Sequence, residues 1–535
     1  MKQQPALDTA KRLRSIGTLL LIASTASPAE AQLVAEGRQW IPGFEPDQRT
    51  GEALAICDFD GDGIDDLAIG LPDTDLGAGS LLNAGTVRVY YGDDSGVLGQ
   101  RLQELFLEDL PSGQNGAGNR FGAALAAADF NLDGACDLAI GIPGLEVSGA
   151  VAAGRVAVIS GEAGDILDRL STDYFDQSVL TGTPETGDRF GSVLAAGPLG
   201  GEDPYPDLVV GVPRDRVGAF QEAGAVHIIF ALNDGGLDTF REARLHQDVE
   251  DLFGIAGPGD RFGAALAIGE VTGDEQTDLI VGTPGDRIDL TDGAGSVQVI
   301  PGGGDGVDIN IATQQFLSQD VEDVLGDVAE GDGFGSAIAL GEFNGGGGLD
   351  LAIGVPGDAQ FGPNQSGIVQ VFFGTLDGGF SLEGEQILFE SLISPEVATF
   401  DRFGTTLASA DFNGDGRDDL AIGYPLDNVF GVVNAGNVAV LYGAPSGLAT
   451  SDAQLWNGFT LLSLEPGDET GFALAAGRLG GERRGPYLAI GIPGREGDGL
   501  MQQQMGGAML LQGQLLVFSD DFERGNTTAW SSTTP

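Results

Sequence analysis

The sequence predicts an all-β fold, a seven-bladed β-propeller with four antiparallel strands in each blade. Three observations predict it: a repeat of about 70 residues in seven copies, short alternating apolar runs between turn residues, and glycine at 89 of 535 positions. A fixed period marks a repeat architecture. Alternation at period two marks half-buried strands. Glycine at this abundance, without a collagen-like G-X-Y period, supplies tight turns.

Each copy opens on a phrase such as Asn119-Arg120-Phe121-Gly122, runs through small apolar residues and crosses an acidic or glycine-rich loop. It closes on a phrase such as Leu138-Ala139-Ile140-Gly141-Ile142-Pro143. The sixth copy repeats this from Asp401-Arg402-Phe403-Gly404 to Tyr424-Pro425. The closing glycines are Gly70, Gly141, Gly211, Gly282, Gly354, Gly423 and Gly491, spaced by 71, 70, 71, 72, 69 and 68 residues.

A second alternating run follows, for example Thr86-Val87-Arg88-Val89-Tyr90-Tyr91, and then a third. That makes about four strands per period, each near the usual five or six residues. Four-stranded blades pack radially and leave only short edges. The Leu-Ala-Ile-Gly strand is apolar on both faces, which suits a strand sandwiched between neighbouring blades. The small residues 123–128 suit the crowded region near the axis. A linear solenoid would need atypical capping repeats. None is obvious, although copies one and seven carry Thr50-Gly51 and Thr470-Gly471 in place of Phe-Gly.

Charge and composition exclude several classes. The formal net charge is −55, so nucleic acid and anionic membrane are repelled. Two histidines, His227 and His246, leave little for histidine catalysis or transition-metal ligation. Two cysteines, Cys57 and Cys136, make neither a disulfide scaffold nor a zinc site. Export would favour their pairing if adjacent blades bring them together; the alternative is two small buried residues.

The N-terminus reads as an export signal. Lys2, Lys11, Arg12 and Arg14 precede a short apolar stretch at 16–26, and Ala29-Glu30-Ala31 fits a cleavage site. The stretch is short for a membrane anchor, and no later segment approaches the ~20 apolar residues of a spanning helix. The expected division is therefore a signal peptide at 1–31, the propeller at 32–519 and a short polar tail at 520–535. The mature chain would be secreted or on the cell surface, with no membrane insertion.

The F-G phrase, the acidic loop and the closing G-x-P phrase resemble the FG-GAP repeats of the integrin α-subunit propeller and its bacterial relatives, over about residues 33–519. The resemblance implies a ring closed by a terminal strand paired into the last blade. The candidates are the segment around Gln39-Trp40-Ile41 and Leu515-Leu516-Val517-Phe518. It also implies ligand-binding loops on the face opposite the acidic loops, here 73–83, 214–222, 286–292 and 358–366. The tail, from Asp520 to Trp530, resembles over a few residues a terminal F-E-x-G-[DN]-T-x-x-W segment of some bacterial secreted proteins, and reads equally well as a polar cap.

The acidic loops read as calcium sites. In the first, Asp58, Asp60, Asp62 and Asp66 fall at positions 1, 3, 5 and 9, and the Ile64 carbonyl falls at position 7. Gly63 at position 6 permits the sharp turn. Hard oxygen donors in this order suit calcium, as in the start of an EF-hand. The second loop keeps the pattern with Asp129, Asn131, Asp133, Asp137 and the Ala135 carbonyl. The sixth keeps it with Asp411, Asn413, Asp415, Asp419 and the Arg417 carbonyl. An ordinary Asp/Asn/Gly turn is the alternative for one such loop, but three at the same phase of the repeat favour metal.

The fourth loop offers a weaker set, Glu270, Thr272, Asp274 and Asp278, with Glu275 in place of the turn glycine. The fifth has Gly346 where a ligand is needed, and the third and seventh lack the leading carboxylates. The expectation is about three calcium ions with a structural role.

No G-x-S-x-G, H-E-x-x-H or phosphate-loop motif occurs. A binding or adhesion module for a protein or glycan is therefore expected ahead of an extracellular hydrolase or a purely structural envelope protein, although the fold alone decides none of them.

Overall fold

The structure is a computed structural model. It describes residues 33–513 except 44–47, 78–79, 94–97, 99–100, 201–204, 233–234, 304–308, 322–323, 364, 376–377, 395–396, 462, 480–484 and 495–505. Seven four-stranded antiparallel sheets follow one another along the chain. Blade 1 consists of Ala53–Cys57, Asp66–Leu71, Thr86–Tyr91 and Arg101–Leu105, paired in that order. Blades 2 to 6 repeat the same order.

Blade 7 differs in one strand. Its first three strands are Leu474–Gly477, Tyr487–Gly491 and Gly507–Gln512, and its outer strand is Val34–Pro42 from the other end of the chain. Trp40 lies opposite Met509 in this antiparallel pairing. Of the two closing strands the sequence offers, the one containing Gln39-Trp40-Ile41 is thus used; 515–518 lies outside the described residues. The first strands of successive blades lie side by side, and the first strand of blade 7 lies beside that of blade 1. The ring is closed.

The second strands sit where their two-faced apolar sequence requires. Every residue of Asp66–Leu71, Asp137–Ile142 and Asp419–Tyr424 is buried. Apolar cores fill the spaces between blades: Val87, Val89, Leu105 and Phe121 pack with Leu138, Ile140 and Ile142. Burying each such side chain contributes roughly 1.5–3 kcal/mol.

The two motif glycines interlock neighbouring blades. Gly122 of the F-G phrase has φ +89°, and its carbonyl approaches Gly70 of the preceding blade so closely that a Cβ there would lie 2.1 Å from it. The same approach joins Gly141 to Gly191, Gly211 to Gly263, Gly282 to Gly335, Gly354 to Gly404, Gly423 to Gly471 and, across the closure, Gly491 to Gly51. Phe121 is fully buried and bridges to Gly85. Thr50 and Thr470 make the equivalent bridges in copies one and seven. The loss of phenylalanine there leaves the junction intact.

The antiparallel order gives the ring two different faces. Loops joining first to second strands, including the acidic loops, lie on one. The F-G phrases, the G-x-P phrases and the loops from second to third strands lie on the other, called here the far face. Cys57 and Cys136 of adjacent blades form a disulfide, with Cα atoms 6.1 Å apart, beside the first acidic loop.

Candidate metal centres

The three complete acidic loops share one backbone design. In the first, the Asp62 and Gly63 amides donate to the two oxygens of Asp58 at 3.1 and 2.7 Å, and the Ile64 amide donates to Asp62 at 2.9 Å. In the second, Asp133 and Gly134 donate to Asp129 at 3.1 and 2.9 Å, and Ala135 donates to Asp133 at 3.0 Å. In the sixth, Asp415 and Gly416 donate to Asp411 at 3.0 and 2.9 Å, and Arg417 donates to Asp415 at 2.9 Å. Position 1 thus organises the turn in each case. The fifth loop does the same with Glu342, which accepts from Gly346 and Gly347 at 2.9 and 2.6 Å. The turn therefore forms without a position-5 carboxylate.

Position 9 has a structural role that the ligand reading missed. Asp66 accepts from the amides of Phe59 and Gly92, both at 2.8 Å, which ties the loop to the end of the third strand. Asp137 accepts from Phe130 and Gly161, and Asp419 from Phe412 and Gly443. Asp207 does the same with Leu199 and Ala231, in a blade whose loop lacks leading carboxylates. This repeated clamp explains the aspartate at the start of the second strand whether or not an ion is held. A carboxylate oxygen has a second lone pair, so the clamp leaves capacity for a metal.

The first loop gathers ligands best. One oxygen each from Asp58, Asp60 and Asp66 lies within 4.8 Å of the others. Asp60 is buried, and its Oδ1 has no hydrogen-bond partner. An oxygen in that condition fits a cation, whose bonds to calcium run about 2.3–2.6 Å. Asp62 is exposed and outside this group. The other Asp60 oxygen pairs with Arg101 from the fourth strand. The spacing of the motif gave no sign of this partner, because Arg101 lies 41 residues away.

In the second and sixth loops Asn131 and Asn413 hold position 3. Each amide oxygen accepts from the position-5 amide, at 2.8 Å. Three carboxylates do not gather there as they do in the first loop. In the sixth loop the Arg417 guanidinium also folds back onto Asp415 at 2.6 Å. The fourth loop has Thr272 Oγ1 donating to Asp278 at 3.2 Å and Gln276 donating to Asp274 at 2.9 Å. Glu275 takes the left-handed conformation, φ +68°, that glycine takes in the complete loops.

Burial pushes the position-9 carboxyls up, with help from the neighbouring carboxylates and against the two amide donors. Asp66 and Asp419 reach about 8 and Asp137 about 7. A bound divalent ion opposes such shifts by favouring the charged form.

Comparison with known proteins agrees with the repeat. The FG-GAP repeat family matches at residues 50–90 and 403–441. The chain is 32% identical over 166 residues to human phosphatidylinositol-glycan-specific phospholipase D, covering 31% of this chain and 19% of that protein. It is 31% identical over 239 residues to integrin alpha pat-2 of Caenorhabditis briggsae, covering 43% and 18%. It is 32% identical over 193 residues to integrin alpha-PS2 of Drosophila melanogaster, covering 34% and 13%. The chain spans about a fifth or less of the length of these relatives. The chain thus carries FG-GAP repeats on a seven-bladed propeller and is similar in sequence to parts of the integrin α subunits.

Proposed function

We propose that this FG-GAP propeller is exported, holds calcium in its acidic loops and acts outside the cell as a binding module for a protein ligand. Export follows from residues 1–31, with the propeller at 32–519 and the tail at 520–535 as its mature parts. The Cys57–Cys136 disulfide fits an oxidising compartment. Among the described residues no helix is long and apolar enough to cross a membrane.

The ions would be held by Asp58, Asp60, Asp62, Asp66 and the Ile64 carbonyl in blade 1. The corresponding residues of blades 2 and 6 would hold two more, and the set from Glu270 to Asp278 would bind more weakly. Calcium supplies positive charge that turns the mutual repulsion of crowded carboxylates into attraction. The chain's own part is to aim the oxygens, with position 1 shaping the turn and position 9 anchoring it.

The observation that carries the binding reading is on the far face. Leu82, Val151, Phe220, Leu290 and Phe430 lie in the loops between second and third strands of five blades and are 57, 57, 38, 84 and 63% exposed. A single exposed apolar side chain is ordinary. One in the same loop of five blades, on an otherwise strongly acidic chain, gives the far face an apolar character that suits a protein partner. The second reading, an extracellular hydrolase, rests on the likeness to the phospholipase D.

The test is to screen the purified mature chain against arrays of extracellular proteins and glycans. Saturable binding to a protein, lost at least tenfold in Leu290→Asp and Phe430→Asp with melting unchanged, supports the proposal. Binding to glycans alone, or turnover of a phosphatidylinositol-glycan substrate, overturns it.

A further inference from the structure

A second acidic cluster lies on the far face, at the corner where blade 5 passes into blade 6. Glu390 follows the outer strand of blade 5, Asp401 opens the F-G phrase of blade 6, and Asp427 follows its G-x-P phrase. The three are 2, 0 and 6% exposed. One oxygen from each lies within 4.8 Å of the others. No basic side chain pairs with Asp401 among the described residues; its buried Oδ1 makes no hydrogen bond of normal geometry, and the side chain that bonds Asp401 is another acid, Glu390. Its Oδ2 accepts from the Ala398 amide.

Tyr424, fully buried, stands in the field of all three carboxylates. The Asn437 amide lies beside its hydroxyl, but the hydroxyl makes no hydrogen bond of normal geometry. The corner therefore holds two buried oxygens, on Asp401 and Tyr424, that make no hydrogen bond of normal geometry.

The repeat provides an internal comparison. Blade 5 has the same corner, built from Gln319, Asp332 and Asp358. The two aspartates are 26 residues apart in both blades. There the Gln319 amide donates to Asp358 at 2.9 Å, so a neutral donor faces the carboxylates. In blade 6 a third acid, Glu390, stands at the place of Gln319, and the amide donor to Asp427 is instead Asn437, at 3.3 Å. Three buried carboxylates in this space repel one another until a cation or shared protons neutralise them.

We propose that Glu390, Asp401 and Asp427 form a divalent-cation site, with the Tyr424 hydroxyl as a neutral oxygen beside it. The oxygens are hard donors of the calcium, magnesium or manganese kind. Oxygens up to 4.8 Å apart can share one ion at about 2.3–2.6 Å from each. The site is distinct from the acidic loops, which lie on the opposite face. It would fix the corner from which the 424–437 loop, with exposed Phe430 and Val433, projects.

The test uses Glu390→Gln, which restores the residue type found in blade 5. Wild type and variant are equilibrated with Mn2+, freed of excess, and assayed for bound metal by mass spectrometry. The proposal expects the variant to hold one Mn2+ fewer per chain, with unchanged circular dichroism. Equal metal content in the two overturns it, and means that the acids share protons instead. Should the variant fail to fold, anomalous diffraction from Mn2+-soaked wild-type crystals decides: a peak among the three carboxylates supports the site, and its absence there overturns it. A loss of metal from the acidic loops would leave this far-face peak in place, so the two sets of sites fail separately.

Discussion

Replacing Gly491 with alanine would place a Cβ 2.1 Å from the Gly51 carbonyl oxygen, across the junction that joins the last blade to the first. A carbon and an oxygen rest comfortably at about 3.3 Å, so the blades would have to part by roughly 1 Å. Both contacting atoms are backbone or fixed to it, so no rotamer can relieve the clash. Overpacking of this kind costs roughly 1–3 kcal/mol, and this case belongs at the upper end. With an unfolding entropy near 2.1 cal/mol/K per residue, a propeller of this size loses about 3 °C in Tm for about 3 kcal/mol. The assay is differential scanning calorimetry of Gly491→Ala beside two controls. Gly141→Ala makes the equivalent clash, also 2.1 Å, with Gly191 inside the ring and should cost the same. Gly149→Ala has φ +88° but open space around its Cβ, and should cost only the left-handed penalty of about 1 kcal/mol. If Gly491→Ala melts like the wild type while Gly141→Ala is destabilised, the first and last blades do not meet and the ring is refuted.

Asp207→Ala should cost about 2–4 kcal/mol, because it leaves the Leu199 and Ala231 amides without their acceptor; urea denaturation with and without calcium should give the same loss, and a calcium-dependent loss would contradict the clamp role. Glu275→Gly should raise stability by about 0.5 kcal/mol by relieving the left-handed Glu275 backbone, and a fall in Tm would contradict that. Burial, opposed by the Ala329 amide, lifts Asp332 to about 7. Its folded pKa is above the unfolded value, so the stability it contributes is present below about pH 4 and is lost as pH rises through about 7. Asp332→Asn should therefore gain Tm relative to wild type at pH 8 more than at pH 5, and parallel pH profiles would contradict the assignment.

The fold was legible because the information repeats. Seven glycines at a near-constant interval, with strand-length runs between them, state blade number and strand number without any long-range reasoning. What joins one copy to another was not legible. The contact of Gly70 with Gly122 involves two motifs that each looked like a local turn. The closing strand could be either Val34–Pro42 or a segment near the other end, because each carries only a few apolar residues and the choice depends on the edge left open by Gly507–Gln512. The Cys57–Cys136 pairing stayed open for the same reason, since it depends on how far apart adjacent blades stand.

The acidic loops show the opposite limit. Their composition pointed to oxygens converging on one point, and Asp58, Asp60 and Asp66 do converge. The same letters also encode a backbone turn and a clamp, as Glu342 and Asp207 show in loops that lack the full ligand set. Arg101 on Asp60 and Arg417 on Asp415 come from outside the spacing logic or against its expected role. The corner at Glu390 carried one faint signal, a glutamate where blade 5 has Gln319, visible only once the repeats are aligned in space.

The central claim is a closed ring whose crowded carboxylate loops are pinned by calcium, and the most direct measurement is the calcium content of the purified protein followed by its melting before and after chelation. About three ions should be found in the loops, with Tm falling by several degrees when a chelator removes them, as mass action requires of an ion bound only to the folded state. Protein that retains no calcium at millimolar concentration, or that melts at the same temperature with and without chelator, would contradict it.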